Sequence, residues 1–206
     1  NGVKGTSFAV WAPNAVRVSV VGNFNEWDGR RHAMHRMPMS GIFELFIPGV
    51  KVGDIYKYEL KLKGNRIELK SDPYAACTEV PPAGASVVAD TGAFQWEDEE
   101  WMAGRKKFAD RKQPVSIYET SLTDWKDGEE LVEFVKKLNY THVELHPVME
   151  YLDDEAGEYS TFAYYAPTRR FGMPQDFQKT VNELHKAGIG LILDWTPSHF
   201  PRVEGG

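Results

Sequence analysis

Residues 188–201 read GIGLILDWTPSHFP, and the fold turns on how this stretch is read. Leu191, Ile192 and Leu193 form an apolar run that stops at Asp194; Trp195, Pro197 and His199 follow. An unbroken apolar run bounded by glycine and proline is the pattern of a strand buried on both faces of a parallel sheet. Pro197 has no N–H for a ladder and pushes Thr196 away from helical geometry, so a loop should begin there. Asp194 then stands at the carboxyl end of a strand, where α/β barrels and open α/β sheets carry their sites. Asp194 and His199 are expected to face a pocket, although from these residues alone Asp194 could equally cap the following turn.

Upstream, the pattern alternates between strand and helix. Residues 115–119 (VSIYE) and 141–148 (THVELHPV) read as strands. Between them, residues 128–138 place apolar side chains at 131, 132, 134, 135 and 138, a helical period. A second helix is expected over 173–187, with Pro174 at its start, Phe177, Val181 and Leu184 on one stripe, and Gly188 at its end. Strand, helix, strand, helix and strand at these lengths predict a parallel sheet with right-handed crossovers.

The first ninety residues contain no long helical period. Residues 7–11, 15–21, 42–47 and 55–62 are rich in valine and aromatics and alternate, with turn pairs between them such as Asp28–Gly29 and Gly64–Asn65. Short, evenly spaced strands predict an all-β, immunoglobulin-like antiparallel sandwich. Residues 94–113 then bring acidic and basic clusters around Trp96, Trp101 and Phe108, the composition of a connector with solvated faces.

Composition bounds the function. The chain has 206 residues, 42% hydrophobic and 26% charged, with a formal net charge of −6. That balance argues against a nucleic-acid surface, and no apolar run approaches the roughly 20 residues of a membrane span. The single cysteine, Cys77, permits no internal disulfide and suits a reducing compartment. His142 and His146 on one strand would stand about 13 Å apart, too far to share an ion. Asp153, Asp154 and Glu155 read as a solvated acidic loop, so no metal is expected.

Several segments resemble the glycogen (1,4-alpha-glucan) branching enzymes of the α-amylase superfamily. FAVWAPNAVRVSVVGNFNEWDG (8–29) and SDPYA (71–75) are similar to the carbohydrate-binding module that precedes the barrel in such enzymes. Tyr118 and Glu119, THVELHPVME (141–150), AYYAPTRRFG (163–172) and DWTPSHFP (194–201) are similar to successive barrel segments, in the right order. The resemblance implies a sandwich module over 1–93, a connector over 94–113, and the first three strands of an incomplete (β/α)8 TIM barrel over 114–206. It implies that Asp194 shapes the barrel mouth, that His199 touches glucose at the cleavage subsite, and that Tyr159 stacks there. Arg169, Arg170 and Glu150 are expected near the rim. Trp27, with Tyr56 and Tyr58, offers aromatic faces on the module that could stack on sugar, although aromatics on strands are more often core.

The implied partner is an α-glucan, in the cytoplasm, with no cofactor, nucleic acid or membrane. Retaining glycosyl transfer needs two carboxyl groups roughly 5 Å apart, and in the superfamily these come from later strands. No catalytic residue is therefore expected, and the chain, whose ends both read as cut, is expected to be an inactive fragment of a longer enzyme. A whole barrel needs about 250 residues. Three strands leave open edges that would favour self-association. The alternatives are a piece of a related debranching or trehalose-releasing hydrolase, a free-standing glycan-binding module with a vestigial half-barrel, or a structural paralogue.

Departures from the family pattern are specific. Ser121 stands for a histidine, Thr123 for a glycine, His146 for a leucine or methionine, and Ser198 for a glycine or alanine. Residues 151–154 replace a His-Pro-rich segment.

Overall fold

The computed structural model describes residues 2–107, 113–155 and 157–198. Seven strands come first: β1 (Gly5–Trp11), β2 (Arg17–Gly22), β3 (His35–Arg36), β4 (Ile42–Pro48), β5 (Ile55–Lys61), β6 (Ile67–Lys70) and β7 (Ser86–Val87). They form two antiparallel sheets, β1-β4-β3 and β2-β5-β6, with β7 joined to β5. β1 alternates along its length: Phe8 and Val10 are buried, whereas Ser7, Ala9 and Trp11 are exposed. One inward face from each sheet supplies the shared core, including Phe8, Val18, Val20, Phe43, Ile47, Tyr56 and Tyr58.

The sandwich expected for this region is therefore observed. Tyr56 and Tyr58 belong to its core rather than to a sugar-facing surface: they are 6% and 1% exposed, and both phenols donate to Asp72 Oδ2, at 2.7 and 3.1 Å. Their hydroxyls reach inward because Asp72 offers the acceptor that a buried phenol requires.

A short helix, α1 (Glu99–Gly104), opens the connector, and β8 (Ile117–Thr120), α2 (Gly128–Lys137), β9 (His142–Leu145), β10 (Met149–Tyr151), β11 (Thr161–Pro167), α3 (Pro174–Lys186) and β12 (Gly190–Leu193) follow. α2 starts where Asp127 accepts from the Glu130 amide at 3.0 Å, and it buries Leu131 and Val135. α3 begins with proline in its first turn and gives way to Gly188 at φ 76°. Both helices separate parallel neighbours: the sheet order is β12-β9-β8, parallel throughout. Val143 and Leu145 on the central strand are wholly buried against Leu131, Val135, Leu184 and Ile189. The 141–148 segment leaves the sheet after Leu145. Met149–Tyr151 then pairs with Thr161–Pro167 as an antiparallel hairpin that periodicity alone does not reveal.

Residues 97–101 are docked on α3. Glu97 N donates to Asn182 Oδ1 at 2.8 Å, His185 Nδ1 lies 2.7 Å from Asp98 Oδ2, and Trp101 stacks on the His185 ring at 5.1 Å. Tyr74 of the module stacks on Tyr165 of β11 at 5.2 Å. Module and parallel sheet thus share contacts.

Candidate functional site

Parallel register sets the site. Thr120 and Leu193 both pair with Leu145, so β8, β9 and β12 finish at one level. Ser121, His146 and Asp194 are each the next residue. The ladder carries into two of them: His146 N donates to Thr120 O at 3.0 Å and Asp194 N to Leu145 O at 2.9 Å. Three polar side chains therefore emerge side by side at the carboxyl ends of a parallel sheet, as the sequence predicts for Asp194.

Residues 157–160 return over these ends. Tyr159, 48% exposed, donates its phenolic O–H to Asp194 Oδ2 at 2.9 Å. Its pKa is held above the ordinary tyrosine value, first by that hydrogen bond, then by partial burial and by the neighbouring charges of Asp194, Glu119 and Glu158. The adjacent Glu158 accepts from Ser121 Oγ at 2.5 Å and lies 3.3 Å from His146 Nδ1. His146 Nε2 is 3.3 Å from Glu119.

The remaining expected residues fall elsewhere. Glu150 is fully buried beneath the mouth rather than on its rim. It accepts from Thr168 Oγ1 at 2.8 Å and from Arg169 N at 3.0 Å, and it pairs with Arg170 Nη1 at 2.6 Å. It sits there because the β10–β11 hairpin folds its side chain inward against the turn that carries both arginines. Arg170 also covers the Tyr151 ring at 4.0 Å and reaches Asp154 at 3.0 Å. Arg169 turns toward the module, its guanidinium 3.7 Å from Cys77 Sγ. Burial pushes the Cys77 thiol up, partly offset by Arg169. Trp27, at 37% exposure, stands on the module with its indole N–H donated to Asn23. His199 lies outside the described residues.

Glu158 is the site residue that sequence reading misses. It belongs to no periodic element, and its neighbours at 121 and 146 are distant in the chain. A phenol on a strand-end carboxylate, beside a histidine and further hydroxyl and carboxylate groups, is an arrangement that can hold a polyhydroxylated ligand against an aromatic ring. Among the described residues no group of three or more His, Cys, Asp or Glu side chains could hold a metal ion.

In class, the chain is a β-sandwich joined to parallel β/α units. Residues 1–75 match carbohydrate-binding module 48, the isoamylase N-terminal domain. Beyond the module, the whole chain is related to the 1,4-alpha-glucan branching enzymes. It is 49% identical over 213 residues to the 1,4-alpha-glucan branching enzyme GlgB of Cereibacter sphaeroides, covering 100% of this chain and 29% of that protein. Against GlgB of Pseudomonas aeruginosa it is 47% identical over 216 residues, covering 100% and 30%. The GlgB of Cellvibrio japonicus is 46% identical over 215 residues, covering 98% and 29%. The chain thus spans about three tenths of the length of the curated relatives it matches. Its fold is shared with a crystal structure of a proposed alpha amylase from Salmonella typhimurium, at a TM-score of 0.71 and 19% identity, over 97% of this chain and 35% of that one.

Proposed function

We propose that the chain supplies the amino-terminal part of a 1,4-alpha-glucan branching enzyme, and that its strand-end cluster holds a glucose unit of an α-glucan. The observation that carries this is the Tyr159–Asp194 hydrogen bond at the carboxyl ends of parallel strands. The phenol ring presents a face to the apolar C–H side of a sugar, and the carboxylate keeps a free oxygen for its hydroxyls. His199 belongs to the same subsite in this reading.

The finer architecture is part of the proposal. β8, α2, β9, α3 and β12 are the opening units of a (β/α)8 barrel; the module runs over 1–93 and the connector over 94–113. The pairing of β7 with β5 supports a module reaching past residue 75. Branching breaks an α-1,4 link through a glycosyl-enzyme intermediate and rejoins the chain at a 6-hydroxyl. The carboxylates here have other duties: Glu150 is buried in its own bonds, Glu158 is bound to Ser121 and His146, and Asp194 accepts from Tyr159. Asp194 and Glu158 orient sugar or the ring that meets it, and Glu150 holds the hairpin; the acids that break the bond come from outside this chain.

A cytoplasmic setting accompanies this reading. Cys77 is free and buried, and among the described residues no helix is long and apolar enough to cross a membrane. β8 and β12 are sheet edges, and the exposed Leu193 and Trp195 beside β12 support self-association there.

Titration of the 206-residue chain with maltoheptaose tests the function. Tyr159→Ala and Asp194→Asn should each weaken binding about tenfold, the loss of one stacked ring or one charged hydrogen bond. Unchanged affinity in both would overturn the assignment.

A further inference from the structure

Ser121 and His146 follow the ends of different strands yet meet the same carboxylate. Ser121 Oγ donates to one oxygen of Glu158, and His146 Nδ1 faces the other at 3.3 Å. Two residues far apart in the chain are therefore one unit in space. Glu158 is followed directly by Tyr159, and the two side chains reach different strands. Glu158 ties residues 157–160 to the ends of β8 and β9, while Tyr159 ties them to the end of β12.

We infer that Glu158 is a positioning residue: anchored by Ser121 and His146, it sets the phenol of Tyr159 on Asp194 and so fixes the ring at the mouth of the site. The Glu158 side chain is only 17% exposed. A carboxylate withdrawn that far from water stays there only while donors replace its hydration. Ser121 supplies a neutral donor. His146 lies beside it as well, with Nδ1 3.3 Å from its other oxygen and Nε2 3.3 Å from Glu119. Without these neighbours the carboxylate would turn out to solvent, and the peptide linking it to Tyr159 would turn with it. The Tyr159 ring, 6.5 Å from the His146 ring, would then lose its seat.

That this ring serves sugar rests on the function proposed above; the anchoring itself does not. The two are separated by different readouts on the same chain. With tyrosines labelled at the phenol carbon, NMR titration reads Tyr159 directly, its signal assigned by Tyr159→Phe. The raised pKa should fall in Asp194→Asn, and Glu158→Ala should remove a comparable share of the rise. Glu158→Gln discards the charge but keeps an acceptor for Ser121, so most of the rise should survive. Ser121→Ala and His146→Leu, milder changes that decide the matter if Glu158→Ala does not fold, should each move Tyr159 part of the way in the same direction.

Equal effects of Glu158→Ala and Glu158→Gln would mean that Glu158 acts on Tyr159 only through its charge, and would overturn the proposal. So would a Tyr159 titration that none of these variants moves. In the sugar arm, Glu158→Ala should weaken maltoheptaose binding about fivefold, the equivalent of one hydrogen bond, with Glu158→Gln close to wild type. A wild-type chain that binds no maltoheptaose overturns the sugar reading alone, because the Tyr159 shift still decides the anchor.

Discussion

Arg170 Nη1 lies 2.6 Å from a carboxylate oxygen of Glu150, which has no exposed surface. The pair locks the β10–β11 hairpin to the turn that follows it. Removing only the cation strands a buried charge, and such half-broken pairs typically lose about 3–5 kcal/mol. Arg170→Ala should therefore destabilise the chain by about that amount in urea unfolding. Glu150→Gln should do less harm, since Thr168 and Arg169 still have an oxygen to donate to. A loss below about 1 kcal/mol in Arg170→Ala would contradict this account.

The module should weaken in alkali. Burial, then the negative charge of Asp72, raises the phenol pKa values of Tyr56 and Tyr58 far above the ordinary range. In the unfolded chain both ionise near pH 10, whereas in the fold both keep their protons. A raised native pKa gives stability that is complete below the unfolded value and is lost as pH climbs past it. The folded state then holds more protons than the unfolded one, and each contributes a fall of about 1.4 kcal/mol per pH unit. Urea midpoints measured from pH 8 upward should be flat and then drop above about pH 10. Tyr56→Phe, Tyr58→Phe and the double variant should progressively flatten that drop.

Docking of the connector is open to proteolysis. Asp98 and Glu97 hold it to His185, Lys186 and Asn182 on α3. Asp98→Ala removes the acceptor beside His185 and exposes the Trp101–His185 stack to opening. Limited trypsin digestion should then cut after Arg105, Lys106 or Lys107 several times faster than in the wild type, at a rate set by local opening. Equal cutting rates would show that Asp98 contributes nothing to docking.

Between module and hairpin, Tyr74 and Tyr165 stack at 5.2 Å with their planes 25° apart. Both rings are largely exposed, at 70% and 56%, so their coupling should lie at the lower end of the aromatic range. A double-mutant cycle with alanine should return about 0.5 kcal/mol. A value near zero would mean that the rings lie together without holding module to hairpin.

Much of the fold was legible in the sequence because its cues are local. Alternation in residues 7–11 marked β1, the 131–138 spacing marked α2, and Pro174 with Gly188 bracketed α3. The β10–β11 hairpin was hidden for a physical reason. Its first strand has three residues, all buried, and its register shifts twice, so no period of two develops. Glu150 was misjudged along with it, because an acid beside a loop reads as exposed until the hairpin folds over it.

By itself, the sequence determined that Asp194 would close a strand, since Pro197 forbids the ladder to continue. The burial expected on both faces is not found, because β12 is an edge strand whose Leu191 and Ile192 are half-buried and whose Leu193 is exposed. The sequence also carried, by resemblance, the likeness of residues 1–75 to carbohydrate-binding module 48. Only the tertiary structure decided which groups meet at the mouth. Parallel pairing brought Thr120, Leu145 and Leu193 level, and the returning loop laid Glu158 and Tyr159 across the three residues that follow them. Hydrophobic period is written along the chain within a few residues, whereas strand register and loop return arise only when distant segments pack.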